Sequence, residues 1–404
     1  MRICLVLPSL FIPRVGGRIR FRQWIELLSR HHDLEVFATR VRGFDERYEA
    51  AARILANTYG CTLHVAEEGV PNFFLSPFPR RAVKRSGLST ESAVAAAHGD
   101  CPFDVIVMEH SYAALGAFRW CALRPRPTLI LDEHNVESAL LLAERRAPLD
   151  VGRVPKRLEV TRYALYERCL WHRVDYVLTV SSLERDYIAR RVAVPVVWVP
   201  IAVTLERSVQ RVPDLSTLLF VGHLSFAPNI DAAIYLVRDV LPLILERFPA
   251  AHVQLVGRSP APSVRALRGP RVDVFGDVAE VTPFLARASV AVQPVRMGAG
   301  VKIKAIEALA AGVPLVTSTH VARPWGIRDG EHAFVADTPQ TTAEAIMVLL
   351  ANPGGATQMI AAGRRLAAQF DSRQIDRQFE DLIYTARTNI RHPVREHKVS
   401  LFAF

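Results

Sequence analysis

The chain has 404 residues, half of them apolar and 22% charged, so it is long enough for two or three globular domains and is neither disordered nor collagen-like. Its five cysteines form no CxxC pair, which argues against a disulfide scaffold or a zinc cluster and is typical of a reducing cytosol, and no apolar run is long enough to span a membrane. Basic residues exceed acidic ones by 10, but no basic run is interleaved with stacking aromatic residues, so a phosphate-bearing small molecule or an anionic membrane surface is favoured over nucleic acid.

The first apolar segment, residues 2–8, predicts a buried strand. Arg2 and the apolar residues that follow it up to Pro13 are similar to a short signal peptide. The segment has no A-x-A cleavage pattern, however, so we interpret it as part of the fold.

A glycine turn and a basic helix start come next. Gly16 and Gly17 permit a tight turn, and a helix predicted over 18–30 begins with Arg18 and Arg20. Because a helix N-terminus beside arginines attracts anions, these residues form a candidate anion site. The alternative is a solvated basic surface.

Polar residues follow two further strands of the first half. The strand predicted at 104–108 runs into Glu109-His110-Ser111, and the strand at 127–131 runs into DEHNVE, residues 132–137. Ligands of open α/β sheets bind past the carboxyl ends of strands, so two acid–histidine pairs at such ends indicate a functional site. No HxH, HxxxH or DxD spacing accompanies them, and we predict no metal.

The remaining elements alternate in the same way. Strands are predicted at 176–180, 217–221, 252–256, 272–275, 289–293 and 313–317, and helices at 159–173, 229–248, 301–311, 340–351 and 372–388. Short apolar strands that alternate with helices predict an α/β fold with two doubly wound parallel sheets, joined near 201–216 where no periodicity is clear.

The segment 294–308, PVRMGAGVKIKAIEA, carries the strongest local pattern. A strand leads into a glycine loop, and Gly300, Lys304 and Glu307 share one face of the helix that follows. Amides at a helix start and a lysine one turn later would hold a diphosphate, and a carboxylate could accept hydrogen bonds from ribose hydroxyls. The alternative is an ordinary surface ion pair between Lys304 and Glu307.

Residues 298–317, GAGVKIKAIEALAAGVPLVT, resemble the donor-site signature of retaining glycosyltransferases of family 4. Further similar segments lie along nearly the whole chain, at 16–20, 134–137, 219–222, 256–260, 274–278 and 330–339. The set is most similar to the branch that builds exopolysaccharides and other surface glycans in bacteria.

The resemblance implies the GT-B fold, with two facing Rossmann-like domains. Residues 1–205 would form the acceptor-side domain and 206–371 the nucleotide-sugar domain, and a helix at 372–390 would cross back onto the first, leaving a basic tail at 391–404. No cofactor or metal is implied beyond the nucleotide-sugar co-substrate.

The resemblance also implies roles for single residues. Glu307 would bind the donor ribose, Lys304 the diphosphate, and His110 the transferred sugar, so these three are the candidate catalytic residues. The donor site would further include Gly222, Arg258, Phe275, Arg296, Gly298, Gly300 and Lys302. The acceptor side would include Gly16, Gly17, Arg18, Arg20, His134, Asn135 and Glu137.

Two departures from the family pattern stand out. Many members have a glutamate eight residues before the ribose-binding one, and this chain has Ala299 at that position. Many also have an Arg and a Lys soon after the strand that corresponds to 217–221, but residues 223–227 of this chain contain neither. The nearby basic residues are Arg296, Lys302 and Lys304, and we expect some of them to take over the neutralisation of the diphosphate.

The implied function is transfer of a sugar, with retention, from a nucleotide-diphosphate sugar to a glycan or lipid-linked acceptor in the cytoplasm. Peripheral contact with an anionic membrane would use the basic clusters at 14–22 and 80–85. The alternatives are a nucleotide-sugar epimerase of the same fold and a non-catalytic nucleotide-binding subunit of a glycan assembly system.

Overall fold

The computed structural model describes residues 1–11, 18–41, 48–68, 78–79, 82–83, 88–143, 156–203, 210–298 and 301–388. Several features of the sequence analysis lie outside these ranges: Gly16, Gly17, Ala299, Gly300, the basic residues Arg80, Arg81, Lys84 and Arg85, and the tail 391–404. The chain divides into two compact units. The first comprises Met1–Val180, Glu184–Val199 and the residues from Asp376 onward, and the second Ser181–Leu183 and Pro200–Ile375.

The first unit is built on a seven-stranded parallel sheet. Its strands are β1 (Arg2–Leu7), β2 (Asp33–Arg40), β3 (Thr62–Glu67), β4 (Val105–Glu109), β5 (Thr128–Glu133), β6 (Tyr176–Thr179) and β7 (Val196–Trp198). They lie in the order β3-β2-β1-β4-β5-β6-β7. Strands β1, β4 and β5 are buried along almost their whole length, which explains their near-continuous apolar sequences.

Helices join these strands. They are α1 (Arg18–His31), α2 (Glu49–Tyr59), α3 (Leu88–Asp100), α4 (Ala117–Trp120), α5 (Glu137–Ala143), α6 (Lys156–Trp171) and α7 (Ser182–Ala189), with a 3₁₀ turn at Ser111–Ala113. One apolar core of this unit contains Met108, Leu131, Trp120 and Trp171.

The second unit repeats this plan with six parallel strands. They are β8 (Thr217–Val221), β9 (His252–Gly257), β10 (Val272–Gly276), β11 (Val290–Gln293), β12 (Leu315–Thr317) and β13 (Phe334–Val335), in the order β10-β9-β8-β11-β12-β13. Its helices are α8 (Ala227–Tyr235), α9 (Leu241–Leu245), α10 (Pro262–Arg265), α11 (Thr282–Arg287), α12 (Ile303–Ala310), α13 (Thr319–Trp325), α14 (Pro339–Ala351) and α15 (Thr357–Ala368), with a 3₁₀ turn at Pro353–Ala356. The last helix of the chain, α16 (Ser372–Thr388), begins in this unit and continues in the first.

The prediction of two doubly wound parallel sheets is confirmed. In each sheet the strand order reverses at one pair of neighbours, β1 and β4 in the first and β8 and β11 in the second. Ligand sites of such sheets lie at the carboxyl ends of these strands. The residues that follow β4 and β11 are therefore placed where a ligand site is expected.

Two predicted elements differ in detail. The helix expected at 229–248 is interrupted by a π-helical turn, Leu236–Val240, before α9, whose second residue is Pro242. Proline has no N–H to continue the helical ladder, which accounts for the break. The helix expected from 301 begins at Ile303, so the preceding loop is longer than predicted.

The length and apolar character of the helices bear on the prediction that no segment spans a membrane. Among the described residues, no single helix is long and apolar enough to cross a membrane. The neighbouring segments Pro339–Ala351 and Pro353–Ala368 would qualify only as a pair, and a bend of 106° separates them.

Candidate functional site

The carboxyl ends of β4 and β5 bring both acid–histidine pairs into one buried cluster. The register of the two strands places Glu109 opposite Asp132. His134 Nε2 lies 2.6 Å from Glu109 Oε2, and the rings of His110 and His134 are 3.9 Å apart. The cluster thus contains both histidines that the sequence indicates, and the hydrogen bond of Glu109 is with His134 on the neighbouring strand end.

Asp132 is the centre of this cluster. Arg20 binds its carboxylate through two hydrogen bonds, of 2.8 Å from Nε and 3.2 Å from Nη2, and Trp24 Nε1 donates a third of 2.7 Å. All three side chains are fully buried. Burial alone would raise the pKa of Asp132, but the charge and hydrogen bonds of Arg20, together with His134 and Trp24, hold that pKa below its usual value.

Burial shifts the neighbouring groups towards their neutral forms. Burial, and then the charge of Asp132, raise the pKa of Glu109 well above its usual value, and burial lowers the pKa of His134 to about 4. The charged forms are thus favoured at the Arg20–Asp132 ion pair, and the neutral forms at the hydrogen-bonded pair of Glu109 and His134.

The same residues meet a geometric requirement for metal binding that their spacing in the sequence does not reveal. One ligand atom from each of Glu109, Asp132 and His134 lies within 4.8 Å of the others. The Asp132 oxygens accept hydrogen bonds from Arg20 and Trp24, and Arg20 supplies positive charge beside them. Glu109 Oε1, by contrast, is buried without a hydrogen-bond partner.

His110 has an unusual backbone. Its φ is 70°, a region that residues other than glycine rarely adopt, and its N–H donates to the Asp132 carbonyl over 2.9 Å. Its ring stacks on Tyr112 at 4.6 Å. Such strain persists only where the surroundings impose it, and it is concentrated at functional sites.

A second group of buried carboxyls lies beside this cluster and escapes sequence analysis. Glu167 accepts hydrogen bonds from the N–H groups of Glu137 and Ser138, at the start of α5, over 2.6 and 3.2 Å. Burial raises the pKa of Glu167 to about 7, and burial together with Glu167 raises that of Glu133. These contacts fix the position of the Glu137 backbone. Asn135, two residues earlier in the chain, is half-buried.

The basic start of α1 is not a solvated surface. Arg18 is 9% exposed and Arg20 is fully buried. The alternative of a solvated basic surface is therefore wrong for these two residues. The spacing of apolar residues could not reveal this burial, because the polar face of α1 turns towards the buried carboxylate of Asp132.

In the second unit, close backbone packing marks the ends of β8 and β9. Gly222 N donates to Val256 O, and a Cβ at Gly257 would overlap the Gly222 carbonyl oxygen. The loop after β8 is further held by Asn229, whose Nδ2 donates to His223 O over 3.0 Å. Only glycine at position 257 permits this approach.

Residues that the resemblance assigns to the nucleotide base lie at the next strand ends. Arg258 follows β9 and is exposed, and Phe275 near the end of β10 packs on Phe284 with ring centroids 5.0 Å apart. A cavity of about 350 Å³ lies beside them, lined by Pro260, Arg265, Arg268, Val274, Gly276 and Asp277.

Arg296 and Gly298 both lie in the segment after β11, but their surroundings differ. Arg296 forms a two-pronged ion pair with Asp231, with Nη2–O distances of 2.8 and 3.0 Å, and its guanidinium lies 4.3 Å from the Tyr235 ring. Gly298 has a φ of 97°, and a Cβ there would lie 2.7 Å from Pro228. The chain therefore needs a glycine at position 298.

Lys302 and His320 lie close together in this part of the second unit. Burial lowers the pKa of Lys302 to about 8. Burial, and then the charge of Lys302, lower the pKa of His320, which is also hydrogen-bonded to the Gly298 backbone. Sequence analysis missed His320, which lies just after β12 and is brought near Lys302 by the pairing of β11 with β12.

Lys304 and Glu307 form the ion pair that was the alternative interpretation of their spacing. Lys304 Nζ lies 2.6 Å from Glu307 Oε2, and both side chains are partly exposed. A partly exposed pair of this kind contributes a few tenths of a kcal/mol. Either side chain could therefore exchange its partner for a ligand at little cost.

The fold and these sites define an α/β protein with two doubly wound units, each with polar residues at the strand ends where ligands bind. Two family models match it: "Glycosyl transferase 4-like domain" over residues 15–204 and "Glycosyl transferases group 1" over residues 216–352. Together they match most of the chain, which therefore belongs to the family 4 glycosyltransferases of GT-B fold.

Curated relatives include phosphatidyl-myo-inositol mannosyltransferases of mycobacteria. The protein from Mycobacterium leprae is 27% identical over 216 residues, which are 50% of this chain and 57% of that protein. The protein from Mycobacterium tuberculosis is 26% identical over 280 residues, 63% of this chain and 72% of the relative. The match thus spans little more than half the length of the first of these relatives.

Solved structures share the fold at low sequence identity. Sucrose-phosphate synthase from Thermosynechococcus elongatus has a TM-score of 0.66 and 17% identity, covering 95% of this chain and 98% of that one. The Anabaena protein HepE in complex with UDP has a TM-score of 0.66 and 14% identity, covering 95% and 100%. These similarities agree with the predicted GT-B fold.

Proposed function

We propose that this protein transfers a sugar, with retention of configuration, from a nucleotide-diphosphate sugar to a glycan or lipid-linked acceptor. The observation that carries the proposal is the set of groups at the carboxyl ends of β8, β9 and β11: the glycine turns at 222 and 257, the cations Lys302 and Lys304, and Glu307. Family membership supports the same reaction.

In this proposal the second unit binds the donor. Lys302, Lys304 and the amides near Gly222 stabilise the charge that develops on the leaving diphosphate, which is the largest catalytic contribution. Glu307 accepts hydrogen bonds from the ribose, giving up its ion pair with Lys304, which then faces the phosphate. Arg258 and Phe275 border the base, and Arg296 supports the loop through Asp231.

In the chemical step, the bond from the anomeric carbon to the phosphate oxygen breaks and a bond to the acceptor hydroxyl oxygen forms on the same face. The hydroxyl proton passes to the leaving phosphate. His110 orients the sugar, and the surrounding residues Arg18, His134, Asn135 and Glu137 belong to the acceptor side. No metal is required, because the cations of the chain stabilise the leaving group.

The mannosyltransferase relatives suggest a mannose donor and a phosphoinositide-type lipid acceptor at the inner face of the membrane as the first substrates to test. Mannose and glucose donors carrying UDP, GDP or ADP are incubated with phosphatidylinositol vesicles or a polyprenyl-diphosphate sugar. We expect release of nucleoside diphosphate that depends on the acceptor, and NMR of the product reports the anomeric configuration.

A variant of His110 provides the sharper test. His110→Ala should lower turnover much more than donor affinity, whereas His64→Ala, which changes a half-exposed histidine on β3, should leave turnover unchanged. Full activity of His110→Ala would remove this residue from the site. Nucleotide binding without donor consumption would indicate a non-catalytic subunit, and conversion of the donor sugar without acceptor would indicate an epimerase.

A further inference from the structure

A continuous chain of contacts joins the C-terminal helix α16 to His110. It starts at Phe379, whose ring stacks on that of Trp24 with centroids 3.6 Å apart and planes within 15°. Both rings are fully buried. The contact lies within the first unit, to which α16 belongs from Asp376 onward.

The next contact passes from Trp24 to Asp132. The indole N–H donates to the Asp132 carboxylate over 2.7 Å, and the Arg20 guanidinium, which binds the same carboxylate, lies 4.0 Å above the Trp24 ring. The Trp24 ring is therefore packed against Phe379 and Arg20, and its N–H is held by the Asp132 carboxylate.

The last contact passes from Asp132 to His110. The Asp132 carbonyl accepts the His110 N–H over 2.9 Å at the point where the His110 backbone adopts a φ of 70°. The His110 ring packs against His134, which Glu109 holds by a 2.6 Å hydrogen bond. Both the backbone and the ring of His110 thus depend on how β5 ends at Asp132 and His134.

We propose that Trp24 and Phe379 are positioning residues for His110, acting through Asp132. The proposal rests on the proposed function in one respect, the role of His110 at the transferred sugar. Helix α16 fixes the indole, the indole and Arg20 fix Asp132, and Asp132 holds the strained backbone that directs the imidazole. Misplacement of a reacting or orienting group by about 1 Å can cost roughly a hundredfold in rate, so loss of this support lowers turnover.

Two variants remove different parts of the chain of contacts. Trp24→Phe keeps an aromatic ring against Phe379 but removes the N–H donor to Asp132. Phe379→Leu keeps an apolar side chain but removes the stack. Phe103→Leu is the matched control, because Phe103 is a buried phenylalanine of the same unit in an apolar core that does not include Trp24.

The readouts separate positioning from loss of structure. We expect kcat to fall by about tenfold to a hundredfold in Trp24→Phe and Phe379→Leu, with the donor KM and the nucleotide-induced rise in Tm unchanged, and no such change in Phe103→Leu. Equal kcat in all three variants and the unaltered protein would overturn the proposal.

A second readout does not require activity. In protein labelled with ¹³C-histidine, the His110 imidazole signal, assigned by its absence in His110→Ala, should shift in Trp24→Phe and stay in place in Phe103→Leu. An unmoved His110 signal in Trp24→Phe would overturn the proposal even if Phe379→Leu did not fold. Failure of the unaltered protein to bind any nucleotide would instead contradict the proposed function, and the NMR result would still decide the positioning role.

Discussion

At the scale of single residues, the buried ion pair between Arg20 and Asp132 is the most consequential feature of the first unit. Both side chains are fully buried, so the removal of one charge leaves the other without compensation in a medium that solvates it poorly. We therefore expect Asp132→Asn to lower the free energy of unfolding by about 3–5 kcal/mol.

Urea unfolding checks this prediction. Asp100→Asn, which changes an exposed aspartate at the end of α3, serves as the control and should stay within about 0.5 kcal/mol of the unaltered protein. Equal stability of the two variants would mean that Arg20 finds another partner and that Asp132 does not organise the cluster.

The pKa of Lys302 leads to a prediction of how nucleotide binding depends on pH. Its pKa of about 8 in the absence of ligand means that it is mostly charged at pH 7 and loses its proton as the pH rises through 8. An anionic diphosphate favours the charged form, so the Kd for a nucleoside diphosphate should rise above pH 8, by up to about tenfold per pH unit.

Titration calorimetry between pH 7 and 9.5 measures this dependence. Lys302→Arg keeps its charge over the whole range, so its Kd should stay nearly constant above pH 8. The same rise of Kd in both proteins would assign the titration to another group and remove Lys302 from the diphosphate site.

Residues at strand ends could be predicted from the sequence, and their partners could not. His110 and His134 follow apolar strands directly, so topology alone places them at one edge of the sheet. Arg20 and Trp24 reach the same cluster from α1, and His320 reaches Lys302 from beyond β12. Such contacts join residues that are distant in the chain and depend on side-chain packing, for which periodicity carries no signal.

At the scale of elements, β8 and β9 come into close backbone contact where they end in the second unit. A Cβ at Gly257 would overlap the Gly222 carbonyl oxygen, which is backbone and cannot move aside without shifting β8. We expect Gly257→Ala to destabilise the protein by about 1–3 kcal/mol or more, because overpacking forces the backbone to shift.

Gly269→Ala is the matched control, since a Cβ there would meet its nearest atom, Leu267 O, at an ordinary 4.0 Å. That variant should be neutral or slightly stabilised, because alanine reduces the entropy of the unfolded chain. Thermal unfolding of the two variants gives the comparison. If Gly257→Ala is as stable as Gly269→Ala, the close approach is not required.

Element prediction succeeded where periodicity was strong and failed where elements were short or at the sheet edge. Helix α16 has the predicted bounds, 372–388, because its apolar residues recur at helical spacing over 17 residues. Strand β3 lies at one edge of the first sheet and is only half-buried, and β7 and β13 have three and two residues, so their patterns were too weak to detect. Strand β2 lies inside the sheet, but charged residues interrupt its apolar sequence.

At the scale of the whole molecule, two similar sheets account for most of what the sequence could predict. Each shows the same strand order around its central pair, and buried parallel strands give apolar runs that are easily recognised. The family signature at 298–317 begins five residues after the end of β11 and includes α12 and β12, close to the strand ends where the topology predicts a ligand site. In the proposed function, the choice of nucleotide depends on a few side chains around Arg258 and Phe275.

In the proposed function, the second unit binds a nucleoside diphosphate through Glu307 and its neighbours. The most direct measurement is the Tm of the protein with UDP, GDP, ADP and CDP, repeated with Glu307→Ala and with the exposed-glutamate control Glu246→Ala. A ligand at about 100 times its Kd stabilises the folded state by about 2.7 kcal/mol. We expect one nucleotide to raise the Tm of the unaltered protein and of Glu246→Ala, and Glu307→Ala to lose this rise. An unchanged Tm with every nucleotide, or an equal rise in Glu307→Ala, would contradict it.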